Sequence, residues 1–273
     1  MDHLSFRLLS ADVAVQAPAE AAAALGYLVQ HARQSVPVET TWSYGVLPAA
    51  GGYVVSEDGL EIGHPANPSG VLDVVYQRVH ERAFAAASSR GWVRTHGGLA
   101  RVNAGRLLVT APAGTGKTTL MTRLAFDGAA VESDESVLIR DGIALAFPRA
   151  FHLKPGITDH VPELRPWLAH LPSLVEPKIW ALDLTTVGLP WSIAPGPIDA
   201  VVILERSTDG AATLERVPAT SGMHDVVSEV FLHSESKGTV VREVASVLRH
   251  APCLRLRTTD ARSAAAALQA LEL

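Results

Sequence analysis

The sequence predicts an α/β fold with a mixed sheet, preceded by a small α+β module. The first observation is LLVTAPAGTGKTTLMTRL at residues 107–124, where an apolar run leads through a glycine-rich loop into a helical pattern. The second is a set of Asp-Gly pairs at 58–59, 141–142 and 209–210, each typical of a two-residue hairpin turn. Hairpins join antiparallel strands, so the sheet is not expected to be purely parallel.

Residues 1–90 show no convergent catalytic groups and are predicted to form the small α+β module, a candidate surface for substrate docking. Residues 5–16 alternate like one strand with an exposed face. Residues 18–32 read as a helix with proline in its first turn. A second helix is predicted over 67–89 from its apolar spacing.

Residues 91–273 are predicted to form the larger unit, which contains the glycine-rich loop. The proline-rich stretch 155–197 is expected to be a long and partly irregular connection. Cys253 is the single cysteine, so no internal disulfide can form, and its apolar alternating neighbours predict a buried side chain.

Composition excludes several classes of function. The net charge is −5, whereas general nucleic-acid binding needs a basic surface. The alanine-rich stretches are too short to span a bilayer, and the N-terminus lacks the basic and apolar regions of a signal peptide. We therefore expect a cytoplasmic protein with neither a nucleic-acid nor a membrane partner.

The loop at 111–118 fits a nucleotide-binding P-loop, with alanine at the usual first glycine. Its backbone N–H groups can form an anion nest, and the following helix directs its positive dipole end at phosphates. Lys117 is expected to reach the β- and γ-phosphates of ATP, and Thr118 to ligate Mg²⁺. The alternative is a glycine-rich turn that happens to precede a helix. The predicted nucleotide-binding residues are Ala113, Gly114, Thr115, Gly116, Lys117, Thr118 and Thr119.

Three acids, Glu132, Asp134 and Glu135, follow the helix after the loop. A phosphate-bound Mg²⁺ usually takes a second protein ligand from an acid at the end of a nearby strand, and Asp134 is predicted to serve with Thr118. Adjacent side chains on an extended chain point to opposite sides unless a bend intervenes. Glu135 is thus available for a substrate hydroxyl. The alternative is a solvated acidic turn.

At this point a resemblance becomes specific. The segment THGGLARVNAGRLLVTAPAGTGKTTLMTRLAFDGAAVESDESVLIRDG resembles the kinase domain of HPr kinase/phosphorylase. It is most similar to the HPr-kinase-like serine kinases of bacteria, some of which accompany lasso-peptide biosynthesis. His96 falls on the family's histidine before the P-loop strand, Gly128 on its helix-ending glycine, and Asp134 and Glu135 on its acid pair. The resemblance implies a P-loop kinase fold of the HPr kinase and phosphoenolpyruvate carboxykinase type.

The match covers residues 92–142 and departs from the family pattern in places. Ala111 replaces a glycine, and Glu135 replaces the second aspartate. Residues before 90 do not resemble the N-terminal domain of the HPr enzyme, and its C-terminal signature for phosphorolysis is not recognisable. HPr as substrate, the phosphorylase activity and the hexamer are therefore not implied, although a homo-oligomer stays open.

The resemblance implies an ATP- and Mg²⁺-dependent kinase acting on a serine of a peptide or small protein. The predicted catalytic residues are Asp134, Glu135, His96 and Lys117. Glu135 or Asp134 would accept the proton of the acceptor hydroxyl, and His96 would orient that acid or contact the phosphate. Two other functions are left open, a small-molecule kinase on the same scaffold and a regulatory protein that binds nucleotide without transferring phosphate.

Arg149, His152 and Lys154 form a short basic segment after the second hairpin. Alternation places His152 and Lys154 on one face and Arg149 on the other. Beside a nucleotide they could neutralise the γ-phosphate or hold an acidic peptide tail. The alternative is a solvated basic loop.

Overall fold

The computed structural model describes residues 1–103, 105–174, 177–208, 211–232 and 235–273. These residues form a mixed α/β protein, in which the two larger sheets each contain parallel and antiparallel strand pairs. The predicted α/β class with a mixed sheet is confirmed at that level.

The strands are two to ten residues long. They are β1 (Asp2–Leu8), β2 (Ala11–Ala17), β3 (Arg33–Gln34), β4 (Thr40–Ala49), β5 (Gly52–Glu57), β6 (Leu60–Gly63), β7 (Val93–Val102), β8 (Gly105–Thr110), β9 (Ala130–Ser133), β10 (Ser136–Arg140), β11 (Ile143–Ala146), β12 (Phe151–Leu153), β13 (Ser173–Leu174), β14 (Ile179–Leu182), β15 (Ser192–Ile193), β16 (Gly196–Pro197), β17 (Ala200–Arg206), β18 (Thr213–Val217), β19 (Val230–Phe231) and β20 (Cys253–Thr258).

The α-helices are distributed along the whole chain. They are α1 (Ala19–Leu25), α2 (Pro68–Ser89), α3 (Lys117–Phe126), α4 (Ile157–His160), α5 (Ala219–Ser228), α6 (Lys237–Leu248) and α7 (Ala261–Gln269). Short 3₁₀ helices lie at Gly26–Leu28, Pro162–Leu164 and Leu184–Val187.

The first sheet has the strand order β1-β2-β4-β5-β6, and helices α1 and α2 pack together beside it. The prediction of one strand over residues 5–16 was wrong, because the chain turns back at Leu9, whose φ is 54°. Two adjacent leucines, Leu8 and Leu9, interrupt the alternation at this turn and are its only sequence signal. The predicted helix over 18–32 is shorter, since α1 and its 3₁₀ extension end at Leu28.

The second sheet has the strand order β16-β11-β10-β7-β8-β17-β20-β18, with β9 and β19 also paired to β7. Strands β8, β17 and β20 run parallel. The hairpins at Asp58-Gly59 and Asp141-Gly142 are confirmed, with both turn residues at positive φ as a type I′ turn requires. The hairpin predicted at 209–210 is wrong, because β17 and β18 pair with β20 and not with each other. Residues 209–210 themselves lie outside the described residues.

The N-terminal residues contact the rest of the chain through a strand pair and side-chain hydrogen bonds. Strand β3 pairs in parallel with β15, and the backbone N–H of His31 donates to the Asp183 carboxylate at 2.7 Å. The division of the chain at residue 90 stays a prediction.

Cys253 is buried, as predicted. None of the helices in the described ranges has the length and apolarity needed to cross a bilayer.

A fully buried arginine, Arg106, connects several strands below the glycine-rich loop. Its Nε and Nη2 both donate to the Glu132 carboxylate at 2.7 Å. The remaining donors reach the carbonyl oxygens of Ala144, Ala194 and Gly196 at 3.1, 2.8 and 2.7 Å. Glu132, one of the three acids noted in the sequence, is therefore a structural partner of Arg106.

We expect Arg106→Met to lower the free energy of unfolding by about 3–5 kcal/mol, because Glu132 would keep a buried charge without its partner. Denaturant titration measures the loss. The matched control is Arg101→Met, at the position paired with Arg106 across the same hairpin, where the side chain is exposed. We expect a change below about 0.5 kcal/mol for the control. Equal losses in the two variants would contradict the structural role of Arg106.

Candidate active site

The glycine-rich loop joins the end of β8 to the start of α3. No side chain caps this helix at its N-terminus, and the first helical amide with an intrahelical partner is that of Leu120, which donates to Gly116. The amides at the start of the helix thus point toward the loop and can receive an anion. One loop amide, that of Thr115, is already used by the Pro112 carbonyl at 3.3 Å.

Glycine is required in this loop by backbone conformation and not by space. Gly114 and Gly116 have φ values of 83° and 110°, which other residues rarely adopt. A Cβ atom added at either position would meet no atom within 4 Å. The open space above the loop and its exposed amides fit a polyphosphate.

Lys117 and Thr118 begin helix α3, and both side chains turn back toward the sheet. The Lys117 ammonium is buried, donates to the Ala111 carbonyl at 2.5 Å, and lies 3.4 Å from Nδ1 of His96. Burial lowers the pKa of Lys117, although the carboxylates of Glu229 and Glu135 act in the opposite direction. A buried cation at this point can attract phosphate oxygens strongly, because little water screens it.

Asp134 lies directly against the loop. The Thr118 hydroxyl donates to its carboxylate at 2.7 Å, and the Asp134 residue is only 1% exposed. Burial raises the pKa of Asp134 to about 6, against the opposing effect of Arg149. The two predicted metal ligands are therefore neighbours in space, although sixteen positions separate them in the chain.

Asp134 and Glu135 form a bend between β9 and β10, so the two side chains do not diverge as they would on an extended strand. The Arg149 guanidinium pairs with Glu135, and the same nitrogen lies 4.0 Å from Asp134. Burial alone would raise the pKa of Glu135, but the charge of Arg149 and its hydrogen bond to the carboxylate outweigh burial and hold the pKa below its ordinary value. Glu135 is ionised at neutral pH.

His96 lies at the edge of the same cluster, on β7 opposite Ser136 of β10. Its Nδ1 is 2.9 Å from the Glu229 carboxylate, and its backbone N–H donates to the Glu229 carbonyl at 2.7 Å. Burial, and next the charge of Lys117, lower the pKa of His96. A neutral ring that donates from Nδ1 to Glu229 leaves its Nε2 lone pair available to another group.

The three residues of the predicted basic segment are found in different environments. Arg149 is in the cluster with Asp134 and Glu135, as expected of a site cation. His152 packs against the Tyr27 ring at 5.1 Å, and burial lowers its pKa to about 2, so it carries no charge. The cationic role expected for His152 is therefore wrong. Lys154 is exposed.

Four residues that the sequence did not indicate complete the cluster. Tyr76 of α2 accepts from Arg149 at 3.3 Å, and Glu229 contacts His96. Arg94 and Phe231 lie beside them. No local pattern could have revealed Tyr76, Glu229 or Phe231, which lie far from the glycine-rich loop in the chain. Arg94 had a signal, since it is two positions before His96 and shares its face of the strand.

Three buried polar atoms near Arg149 have no hydrogen-bond partner in the described part of the chain. They are the Arg149 Nε, the His80 Nε2 and the Tyr27 hydroxyl. All three residues line a chamber of about 10 Å³, which suits one water molecule. These atoms are therefore not counted among the groups available to a ligand.

The donor set fits a Mg²⁺ ion that is shared with a nucleotide. A hydroxyl and a carboxylate, from Thr118 and Asp134, are the kind of oxygen ligands that Mg²⁺ uses together with phosphate oxygens and water. Within the described ranges, no group of three or more His, Cys, Asp or Glu side chains could hold a metal without other ligands. An ion here would depend on the phosphates.

Comparison with known proteins adds no relatives. No protein-family model matches this chain, and no curated protein sequence matches it either.

We expect Asp134→Asn to be more stable than the wild type at neutral pH. The raised pKa means that the folded protein holds the Asp134 proton more tightly than the unfolded chain, so stability falls as the pH rises from 3.8 to about 6. That interval corresponds to about 3 kcal/mol. Denaturant titrations across this pH range should show the advantage of Asp134→Asn disappearing below about pH 4.

The control for this effect is Asp12→Asn, which replaces an exposed carboxylate and should bring no gain in stability. A variant Asp134→Asn that is less stable than the wild type at neutral pH would show that the carboxylate is a net stabilising group.

Proposed function

We propose that this protein is an ATP- and Mg²⁺-dependent kinase that transfers the γ-phosphate to a serine hydroxyl of a peptide or small protein. The proposed fold is the P-loop kinase fold of the HPr kinase and phosphoenolpyruvate carboxykinase type. We further propose that it acts in the cytoplasm. The supporting features are the loop, the acid pair and the histidine, which converge although they come from separate segments.

A single observation carries the proposal. The Thr118 hydroxyl and the Asp134 carboxylate meet at 2.7 Å beside uncapped helix amides, with the Lys117 ammonium on the other side of the loop. A turn with no ligand would gain nothing from burying an aspartate and a lysine there, because burial penalises both charges. Polyphosphate and a divalent cation together would compensate them.

Each residue then has a distinct task. The amides of 113–119 and the Lys117 ammonium hold the phosphates, and Thr118 and Asp134 hold the ion, which supplies positive charge to the phosphate oxygens. Glu135 is ionised and accepts the proton of the acceptor hydroxyl. The hydroxyl oxygen bonds to the γ-phosphorus as the bond to the β–γ bridging oxygen breaks, and ADP leaves. His96, held by Glu229, lies near Glu135 and orients that acid.

A small-molecule kinase is the second candidate, and one observation favours it. A cavity of about 380 Å³ lies beside Glu135, and this volume is in the range of about 300–1,000 Å³ that is usual for small-molecule sites. A regulatory protein that binds nucleotide without phosphoryl transfer is less well supported. The ionised Glu135 and the paired His96 have no role in nucleotide binding alone.

We expect Asp134→Asn to abolish phosphoryl transfer while nucleotide binding survives, because the loop amides and Lys117 remain. We expect Glu135→Gln to slow transfer by at least about a hundredfold through loss of the base. The measurements are label transfer from γ-labelled ATP and binding of a fluorescent ATP analogue. Asp127→Asn, at the opposite end of α3, is the matched control and should stay active. Full activity of Asp134→Asn would remove this acid from the mechanism.

The acceptor class can be decided by following the label. The protein is incubated with γ-labelled ATP, the products of neighbouring genes and a mixture of small metabolites. We expect label on a serine of a peptide or small protein. Label on a metabolite would support the second candidate instead, and release of inorganic phosphate alone would argue against a kinase.

A further inference from the structure

A cavity of about 380 Å³ is lined by residues of helix α2 and of strands β7, β10 and β19. Glu135 and Arg149 form part of its wall. The aromatic side chains in that wall are Tyr76, Phe84, Trp92 and Phe231. The cavity therefore combines an apolar surface with the proposed catalytic base.

A second arginine, Arg94, is built into the same wall. Its guanidinium lies over the Phe84 ring at 3.8 Å and over the Phe231 ring at 4.3 Å. Its Nε and Nη2 donate to the Ser136 hydroxyl at 3.2 and 3.0 Å. Two rings and a hydroxyl thus hold this cation in one orientation before any ligand arrives.

Among the described residues, no carboxylate lies within ion-pairing distance of Arg94, although the charge of Glu135 acts on it from farther away. Three carboxylates lie in the cavity wall, those of Glu81, Glu135 and Glu235. Glu135 is paired with Arg149, Glu81 is paired with Arg78, and Glu235 is not free either. Burial lowers the pKa of Arg94 to about 10, so the side chain is still charged at neutral pH. A partly buried charge without a counterion is costly, and an anionic ligand would offset that cost.

We propose that this cavity binds the phosphoryl acceptor, and that the acceptor is a hydroxyl compound carrying a carboxylate, which Arg94 binds. The inference rests on the proposed kinase function and adds the chemical class of the acceptor. The planar guanidinium can bind a carboxylate through two parallel hydrogen bonds. Glu135, adjacent to Ser136 in the chain, then meets the hydroxyl.

Two sources could supply this chemistry, a free hydroxy acid or a serine next to an acidic residue in a peptide. Phe231 and Leu232, at the cavity wall, are 43% and 58% exposed, so an apolar part of either acceptor would find contacts there. The experiment therefore uses matched probes of both kinds, each with a neutral counterpart.

The probes are N-acetylserine against N-acetylserinamide, and the capped dipeptide Ser-Glu against capped Ser-Gln. Isothermal titration calorimetry measures their affinity for the wild type, Arg94→Gln, Arg94→Lys and the control Arg101→Gln, an exposed arginine on the same strand. Binding of ATP with Mg²⁺ is measured on the same samples, and circular dichroism tests the folding of each variant.

We expect at least one anionic probe to bind at least about tenfold more tightly than its neutral counterpart. Arg94→Gln should remove this preference, Arg94→Lys should restore part of it, and Arg101→Gln should keep it. The probe pair that shows the preference identifies a free acid or a peptide. The Lys variant provides the readout if Arg94→Gln does not fold, since it keeps the charge but loses the planar fork.

The proposal is overturned if no anionic probe binds the wild type, or if both Arg94 variants bind it as the wild type does. Failure of the kinase proposal has a different signature. In that case ATP with Mg²⁺ would not bind, or no label would be transferred, while the preference for anionic probes would still depend on Arg94.

Discussion

The buried guanidinium of Arg149 is the constraint on which the site depends. Two consecutive residues, Asp134 and Glu135, place carboxylates on one side of a bend, and like charges so close would repel each other in a buried setting. Arg149 pairs with Glu135 and lies 4.0 Å from Asp134. Tyr76 of α2 holds the guanidinium from its other side. Helix α2, which lies before residue 90, thereby contributes a side chain to the site.

Arg149 stabilises the charge of Glu135 more than the charge of Asp134. The two acids therefore have different properties. Glu135 receives a direct ion pair and a lowered pKa, whereas Asp134 is more deeply buried and has a raised pKa. Burial destabilises the charged form of Asp134, and a cation such as Mg²⁺ beside the carboxylate would stabilise it. The same burial lowers the pKa of Lys117. Burial thus acts against the charged forms of both Asp134 and Lys117.

Acids that are close in the sequence can have quite different partners in the folded protein. Glu132 pairs with Arg106 in a buried network that connects β8, β9 and β11, while Asp134, two positions later, accepts a hydrogen bond from Thr118 after the glycine-rich loop. A similar division holds for the basic segment, where Arg149 is in the site and His152 is an uncharged ring among aromatic neighbours. Residue type alone could not have separated these roles, because burial and partners decide them.

Local chemistry in the sequence determined the loop, the helix after it, the Asp-Gly turns at 58–59 and 141–142, and the candidate acids, since each depends on a few neighbouring residues. Only the tertiary structure decided the strand order, in which β20 lies between β17 and β18. It also decided that Tyr76 contacts Arg149 and that Glu229 contacts His96. Glu229 is 133 positions from His96, and Tyr76 is 73 from Arg149. Contacts over such separations depend on how sheets and helices pack, which no short-range period encodes.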